Sequence, residues 1–205
     1  MANNRLWIGL GIAAAVVLII AVWIGSTYNG LVTASESVGQ GWGNVQVQYQ
    51  RRADLIPNLV QVVGAFAEQE RTVLTEVTDA RSRVGSIQLS VDDAADPAKV
   101  AQFQEAQAQL GGALSRLIAV AENYPELKSN ENFLSLQDQL EGTENRIAVA
   151  RQDYNAVVKE YNVRAQRVPS VIVARLAGFM PRPYLEATTP GAENAPTIDR
   201  DQLVG

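Results

Sequence analysis

The side chains best suited to chemistry in this chain are carboxylates, because it contains no histidine and no cysteine. General acid–base work at neutral pH, nucleophile activation and transition-metal binding most often recruit those two residue types. Three acidic pairs remain: Glu68 with Glu70, Glu141 with Glu144, and Asp92 with Asp93. Within one helix only Glu141 and Glu144 share a face, and a solvated helical surface accounts for each pair. Carboxylate-bridged di-iron bundles need a Glu-x-x-His on two helices, so that precedent is excluded. Neither a glycine-rich phosphate loop nor a nucleophile elbow is present. The chain reads as non-enzymatic, with no cofactor and no metal, and a site built from carboxylates alone is the one catalytic option left open.

Charges at core spacing carry more information. Arg52, Glu70 and Arg164 fall on apolar seams, where a buried charge must be paired or its desolvation costs several kcal/mol. Long side chains near helix ends also reach water, so half-burial is the simpler reading for them. The sharper expectation is an interhelical polar network drawn from Arg51, Arg52, Asp54, Glu70, Glu144, Arg146 and Arg151. Such a network would fix bundle register or form a groove for a partner, with register the favoured role.

The elements that would position these groups follow from apolar spacing. From Val38 through Trp42, Val45, Tyr49, Arg52, Ile56 and onward to Ile87 and Val91, steps of four and three alternate without a slip, which predicts a long helical seam. A second seam runs from Val100 through Phe103, Gln107, Leu110, Leu114 and Leu117 to Ala121, opened by Asp96 as N-cap with Pro97 at the first helical position. The last runs from Phe133 to Val168, where Pro169 stops or kinks it. Segments 90–96 and 123–130 read as turns between helices. Pro57 interrupts the first seam. Either one kinked helix passes through it, or a new helix starts with Asp54 as N-cap and Pro57 in its first turn. The break is favoured, since it yields four antiparallel helices joined by short loops. The predicted fold is all-α: an N-terminal transmembrane helix followed by an antiparallel up-and-down bundle of four long helices and a short C-terminal helix.

Residues Leu6 to Gly25 carry no charge, and a helix of that length rises about 30 Å, the thickness of a bilayer's hydrocarbon core. Trp7 and Trp23 stand near its two ends, as residues at membrane interfaces do, so the stretch reads as an uncleaved anchor in contact with lipid. Arg5 precedes it and the next basic residues, Arg51 and Arg52, are distant, which directs the bulk of the chain away from the cytoplasm. Gly9 with Ala13, and Ala21 with Gly25, place small residues one turn apart, where two anchors could pack closely in a homo-oligomer. The chain holds 17 basic and 22 acidic residues, for a net charge of −5. It has no concentrated basic stripe, so nucleic acid is not an expected partner. The organisation read from these features is a tail and anchor over 1–27, a helical domain over 28–180 and a Pro-rich acidic tail over 181–205, expected to be disordered alone.

The words Gln50-Arg51-Arg52-Ala53-Asp54-Leu55-Ile56-Pro57-Asn58-Leu59-Val60 and Ala121-Glu122-Asn123-Tyr124-Pro125-Glu126-Leu127-Lys128 resemble the LemA family of bacterial single-pass membrane proteins. Tyr28-Asn29-Gly30, Leu140-Glu141-Gly142-Thr143-Glu144-Asn145, Tyr154-Asn155, Tyr161-Asn162 and Gly178-Phe179 are similar to that family as well. Val168 departs from it, standing where an aromatic usually precedes the proline. The resemblance implies a membrane-anchored antiparallel bundle without known catalytic residues, placed in the cell envelope. It also implies association in some cases with a membrane zinc protease of the HtpX type or with magnetosome membrane biology. Together these readings point to a scaffold in the bacterial inner membrane, its domain periplasmic, that self-associates through coiled-coil-like helices. The alternative is an adaptor for a membrane protease or another envelope protein.

Overall fold

The computed structural model describes residues 2–186, with side chains from Trp7 onward. Helix α1 (Ala2–Phe66) is 65 residues long, roughly 95 Å at the usual rise. From Trp7 through Ser26 every side chain is exposed, and this part is long and apolar enough to cross a membrane. Burial begins at Leu31, the first core residue of the bundle. Then follow α2 (Arg71–Ser86), a 3-10 turn over Asp93–Ala95, α3 (Pro97–Ala121), the single turn α4 (Pro125–Lys128), α5 (Glu131–Gln166) and α6 (Ser170–Leu176). Among the described residues there is no strand.

Side-chain pairings fix the directions. Gly30 meets Arg164, Trp42 meets Tyr154 and Arg52 meets Glu144, so α5 runs antiparallel to α1. Ala53 meets Arg81 while Gly64 meets Leu74, so α2 descends along α1. Phe103 packs on Trp42 and Gln107 bonds to Arg52, so α3 ascends beside it. The topology is the up-down-up-down bundle that the seams predict. Its core forms two clusters. The one near the anchor centres on Leu31, Trp42, Phe103, Tyr154 and Tyr161. The distal one centres on Ile56, Val63, Leu110, Leu117 and Phe133.

The expected break at Pro57 does not occur: α1 passes through it. Asp54 is exposed and accepts a bond from Gln50 Nε2 at 2.7 Å, so it caps nothing. An interior proline orphans the carbonyl four residues earlier, here that of Ala53. Arg81 on α2 donates its Nε to that oxygen at 2.9 Å. The bond lost to the proline ring is thus replaced from a neighbouring helix, while Ile56, Leu59 and Val63 hold both flanks in the core. The chain reverses instead at 67–70, where Glu70 precedes α2 with no side-chain cap, and α2 ends at Ser86, so Val91 of the long seam is an exposed loop residue. Arg81→Ala should destabilise the bundle by about 1 kcal/mol by leaving a part-buried carbonyl without its protein donor. With Pro57→Ala already in place that penalty should vanish, because the substituted residue has a backbone N–H to donate to the Ala53 carbonyl. A double-mutant cycle in urea showing no coupling would remove Arg81 from this role.

Other boundaries agree with the sequence. Asp96 accepts from Ala98 N at 2.9 Å with Pro97 opening α3, and Asn130 accepts from Phe133 N at 3.1 Å to start α5. Toward the end of α5 the buried residues are Val158, Asn162 and Ala165, and Arg164, which spacing places on the seam, is exposed. The expected tail boundary at 181 is also corrected, because residues 181–186 lie along the bundle and Leu185 is buried in the core near the anchor. The expectation of disorder for 187–205 lies outside the described residues.

Candidate functional site

Between the two apolar clusters lies a polar layer. Each helix reaches it by the same seam that builds the core: Arg52 sits between Tyr49 and Ile56, Gln107 between Phe103 and Leu110, and Thr143 between Leu140 and Ile147. Arg52 is 3% exposed. Its Nη1 donates to Glu144 Oε1 at 2.9 Å, its Nη2 donates to the side-chain oxygen of Gln107, and its guanidinium lies 5.1 Å from the centre of the Tyr49 ring. Glu144 keeps half of its side chain in water, at 46% exposure. One guanidinium therefore ties α1 to both α3 and α5, in a planar arrangement that a lysine could not reproduce.

Arg151 is the second buried cation of the layer and hydrogen-bonds to Tyr49. Burial pushes the Tyr49 phenol above its ordinary pKa, against the lowering pull of Arg151 and Arg52. Tyr49 thus stays neutral as a packing and hydrogen-bonding group. Two buried donors, Arg52 Nε and Gln107 Nε2, find no protein acceptor. Both residues also line an open groove of 690 Å³ between α3 and α5, floored by Gly111 and Gly112.

Of the anticipated network the structure brings together Arg52, Glu144 and Arg151 around Tyr49. Arg51 and Arg146 are exposed outside it, as is Asp54. Glu70 stands at the distal turn, accepting a long bond of 3.4 Å from the Tyr124 hydroxyl. The acidic pairs are engaged separately: Glu68 with Arg71, Glu141 with Gln137, and Asp93 with Lys99 and Ser90. These two partners hold the Asp93 carboxyl down at about 2. Among the described residues no group of three or more acidic side chains is placed to hold a metal ion.

A second constellation escaped the residue-level reading. Asn155 donates to Leu185 O at 2.8 Å and accepts from Leu185 N at 2.9 Å. One heptad on, Asn162 donates to Arg182 O at 2.9 Å and accepts from Arg182 N at 2.8 Å. Each side-chain amide pairs with a backbone residue as a strand edge would. The Tyr161 hydroxyl adds a bond to Met180 O at 2.8 Å. The signal was the Tyr-Asn pair at 154–155 repeated at 161–162. These pairs bind 180–185 as a strap along α5, covering the part of the bundle that α2 is too short to reach.

The anchor residues Trp7, Gly9, Ala13, Ala21, Trp23 and Gly25 line the exposed start of α1, and space beside Gly9 and Gly25 is open; Leu6 belongs to the same helix.

The chain is similar to known proteins over most of its length. The chain is 28% identical over 180 residues to the magnetosome protein MamQ 2 of Paramagnetospirillum magneticum, covering 80% of this chain and 66% of that protein. It is 27% identical over 168 residues to the magnetosome protein MamQ of Magnetospirillum gryphiswaldense, covering 74% of this chain and 62% of that one. It thus spans a little under two thirds of the length of these relatives. The LemA family model matches residues 41–199, from the core of α1 through all later helices and the strap. With that match over most of its length, the chain belongs to the LemA family of membrane-associated proteins.

Proposed function

We propose that this protein is a non-enzymatic, self-associating scaffold of the bacterial inner membrane, with its bundle on the periplasmic side. The observation that carries the reading is the continuity of α1. One helix is both apolar anchor and central rod of the bundle, so the bundle is held as a stiff stalk at a fixed angle to its span. The polar layer acts as a register pin: Arg52 of α1 is tied to Glu144 on α5 and to Gln107 on α3, with an apolar cluster on either side. A buried charged group that specifies alignment is its best-attested structural use. Self-association is supported by the small-residue spacing on the exposed anchor.

Gentle detergent extraction followed by native mass spectrometry tests this. The scaffold reading requires homo-oligomers that persist on dilution and weaken when Gly9 and Gly25 are replaced by Leu. Monomers throughout would overturn it, and one stoichiometric foreign protein would favour the adaptor role instead.

A further inference from the structure

The end of the bundle nearest the anchor carries an apolar, basic face that the core does not use. Helix α6 buries Val173 and Ala174 against the cluster containing Leu31. On its outer side Ile172 and Leu176, one turn apart, are 58% and 85% exposed, and Val168 and Met180 flank them at 77% and 67%. Surface residues of this size are ordinary singly, but a contiguous set marks a contact. The segment 167–185 has Arg167, Arg175 and Arg182 and no acidic residue, in a chain of net charge −5. Arg167 and Arg175 are exposed beside the apolar set.

Height above the bilayer follows from α1. Phe179 packs against Tyr28 with ring centroids 5.8 Å apart, and Tyr28 is three residues beyond Gly25, about 5 Å along the helix. Leu31, which shares a core cluster with Val173 and Ala174 of α6, lies about 9 Å beyond Gly25. The headgroup region extends roughly 5–7 Å past the hydrocarbon on each side. Because α1 is unbroken, this height does not depend on a flexible linker.

We propose that α6 and its flanks form an interfacial foot, which inserts Val168, Ile172, Leu176 and Met180 at the headgroup boundary and sets Arg167 and Arg175 against anionic lipid phosphates. Apolar side chains bordered by cations at a bilayer surface bind in this manner. The foot would give the bundle a second point of membrane contact beside its span and hold the stalk's tilt. It rests on the anchored part of the proposed function and is independent of self-association.

The absence of native cysteine permits single-site labelling of the full chain. Ile172→Cys, Leu176→Cys and, in the distal turn, Gln69→Cys would each carry an environment-sensitive fluorophore. The labelled chains would be placed one per nanodisc of phosphatidylcholine and phosphatidylglycerol, with headgroup-proximal spin-labelled lipid as quencher. The expected result is blue-shifted emission and strong quenching at 172 and 176, with neither at 69. Replacing phosphatidylglycerol by phosphatidylcholine, or introducing Arg167→Glu with Arg175→Glu, should reduce the quenching. Water-like emission at 172 and 176 in the anionic discs would overturn the proposal. So would a blue shift that arises only with two chains per disc and is insensitive to the lipid quencher, which would assign the face to a second copy. Carbonate extraction of vesicles separates the two ideas: a chain that washes off refutes the anchor, whereas a retained chain with a wet α6 refutes the foot alone.

Discussion

Arg52→Met is expected to cost the bundle about 3 kcal/mol, measured by urea unfolding followed at Trp42 with Trp7 and Trp23 replaced by Phe. The methionine fills much of the space but leaves the Gln107 oxygen without its donor in a site where Gln107 is 1% exposed. Removing one partner of a buried charged contact typically costs about 3–5 kcal/mol. The lower end applies because Glu144 is already half in water and can be hydrated in place. Glu144→Gln should cost only about 1 kcal/mol, since the amide oxygen still accepts from Nη1. Adding Gln107→Leu to Arg52→Met should recover most of the loss, as replacing a whole buried polar set by apolar groups often does. The register role makes the further demand that this recovered variant show more than one α1–α3 alignment. Disulfide trapping from cysteine pairs at 49/103 and 49/106 would report it. A stable variant with one unchanged alignment would leave the layer without that function.

The parts of this site that can be read from sequence are the ones written into helical periodicity. Arg52 stands out because it occupies a seam position between large apolar residues and the seam remains in phase through it; Gln107 holds the same kind of position on the second seam but, being uncharged, is not in the anticipated network. The carboxylate that meets Arg52 is harder to choose, since Glu141 and Glu144 share one helix face and only Glu144 reaches the guanidinium, while Glu141 accepts from Gln137. Arg51 and Asp54 enter the network only if a turn is placed at Pro57. That turn is misplaced because the determinant is long-range: the guanidinium that replaces the proline's missing bond comes from Arg81, 28 residues away in sequence from the Ala53 carbonyl. The actual reversal at 67–70 has no glycine, proline or capping bond to announce it. Unbroken heptad phase across it arises because both helices face the same core.

The strap shares a cause with these misses. From Pro181 onward the chain looks too rich in proline and too poor in core residues to fold, and judged alone it lacks the apolar area to offset its ordering entropy. The strap is ordered by partners on another element, two asparagines and two tyrosines of α5, which contribute directed hydrogen bonds in place of area. Arg182 extends this tie by donating to Val91 O at 2.9 Å, joining the strap to the loop before α3. In this way a chain with a short α2 closes the part of its bundle nearest the anchor.

Asn155→Ala combined with Asn162→Ala should therefore release that strap. The pair removes four side-chain to backbone hydrogen bonds, each worth about 1 kcal/mol net, for a total near 4 kcal/mol. Because these bonds tie the strap to α5 alone, the loss is expected mainly as local opening, with a smaller fall in global stability. The direct readout is amide exchange at Arg182 and Leu185, whose N–H groups lose their acceptors: protection should fall about a thousandfold, which is what roughly 4 kcal/mol represents. Asn162→Asp keeps the acceptor for Arg182 N and loses the donor to Arg182 O, so its effect should be intermediate between wild type and Asn162→Ala at that site. If the aspartate behaves like the alanine, the paired geometry is not what holds the strap, and burial of Leu185 alone must do so. In that case Leu185→Ala should open the segment as fully as the double variant, whereas side-chain pairing predicts that it exposes the end of the strap and leaves Arg182 protected.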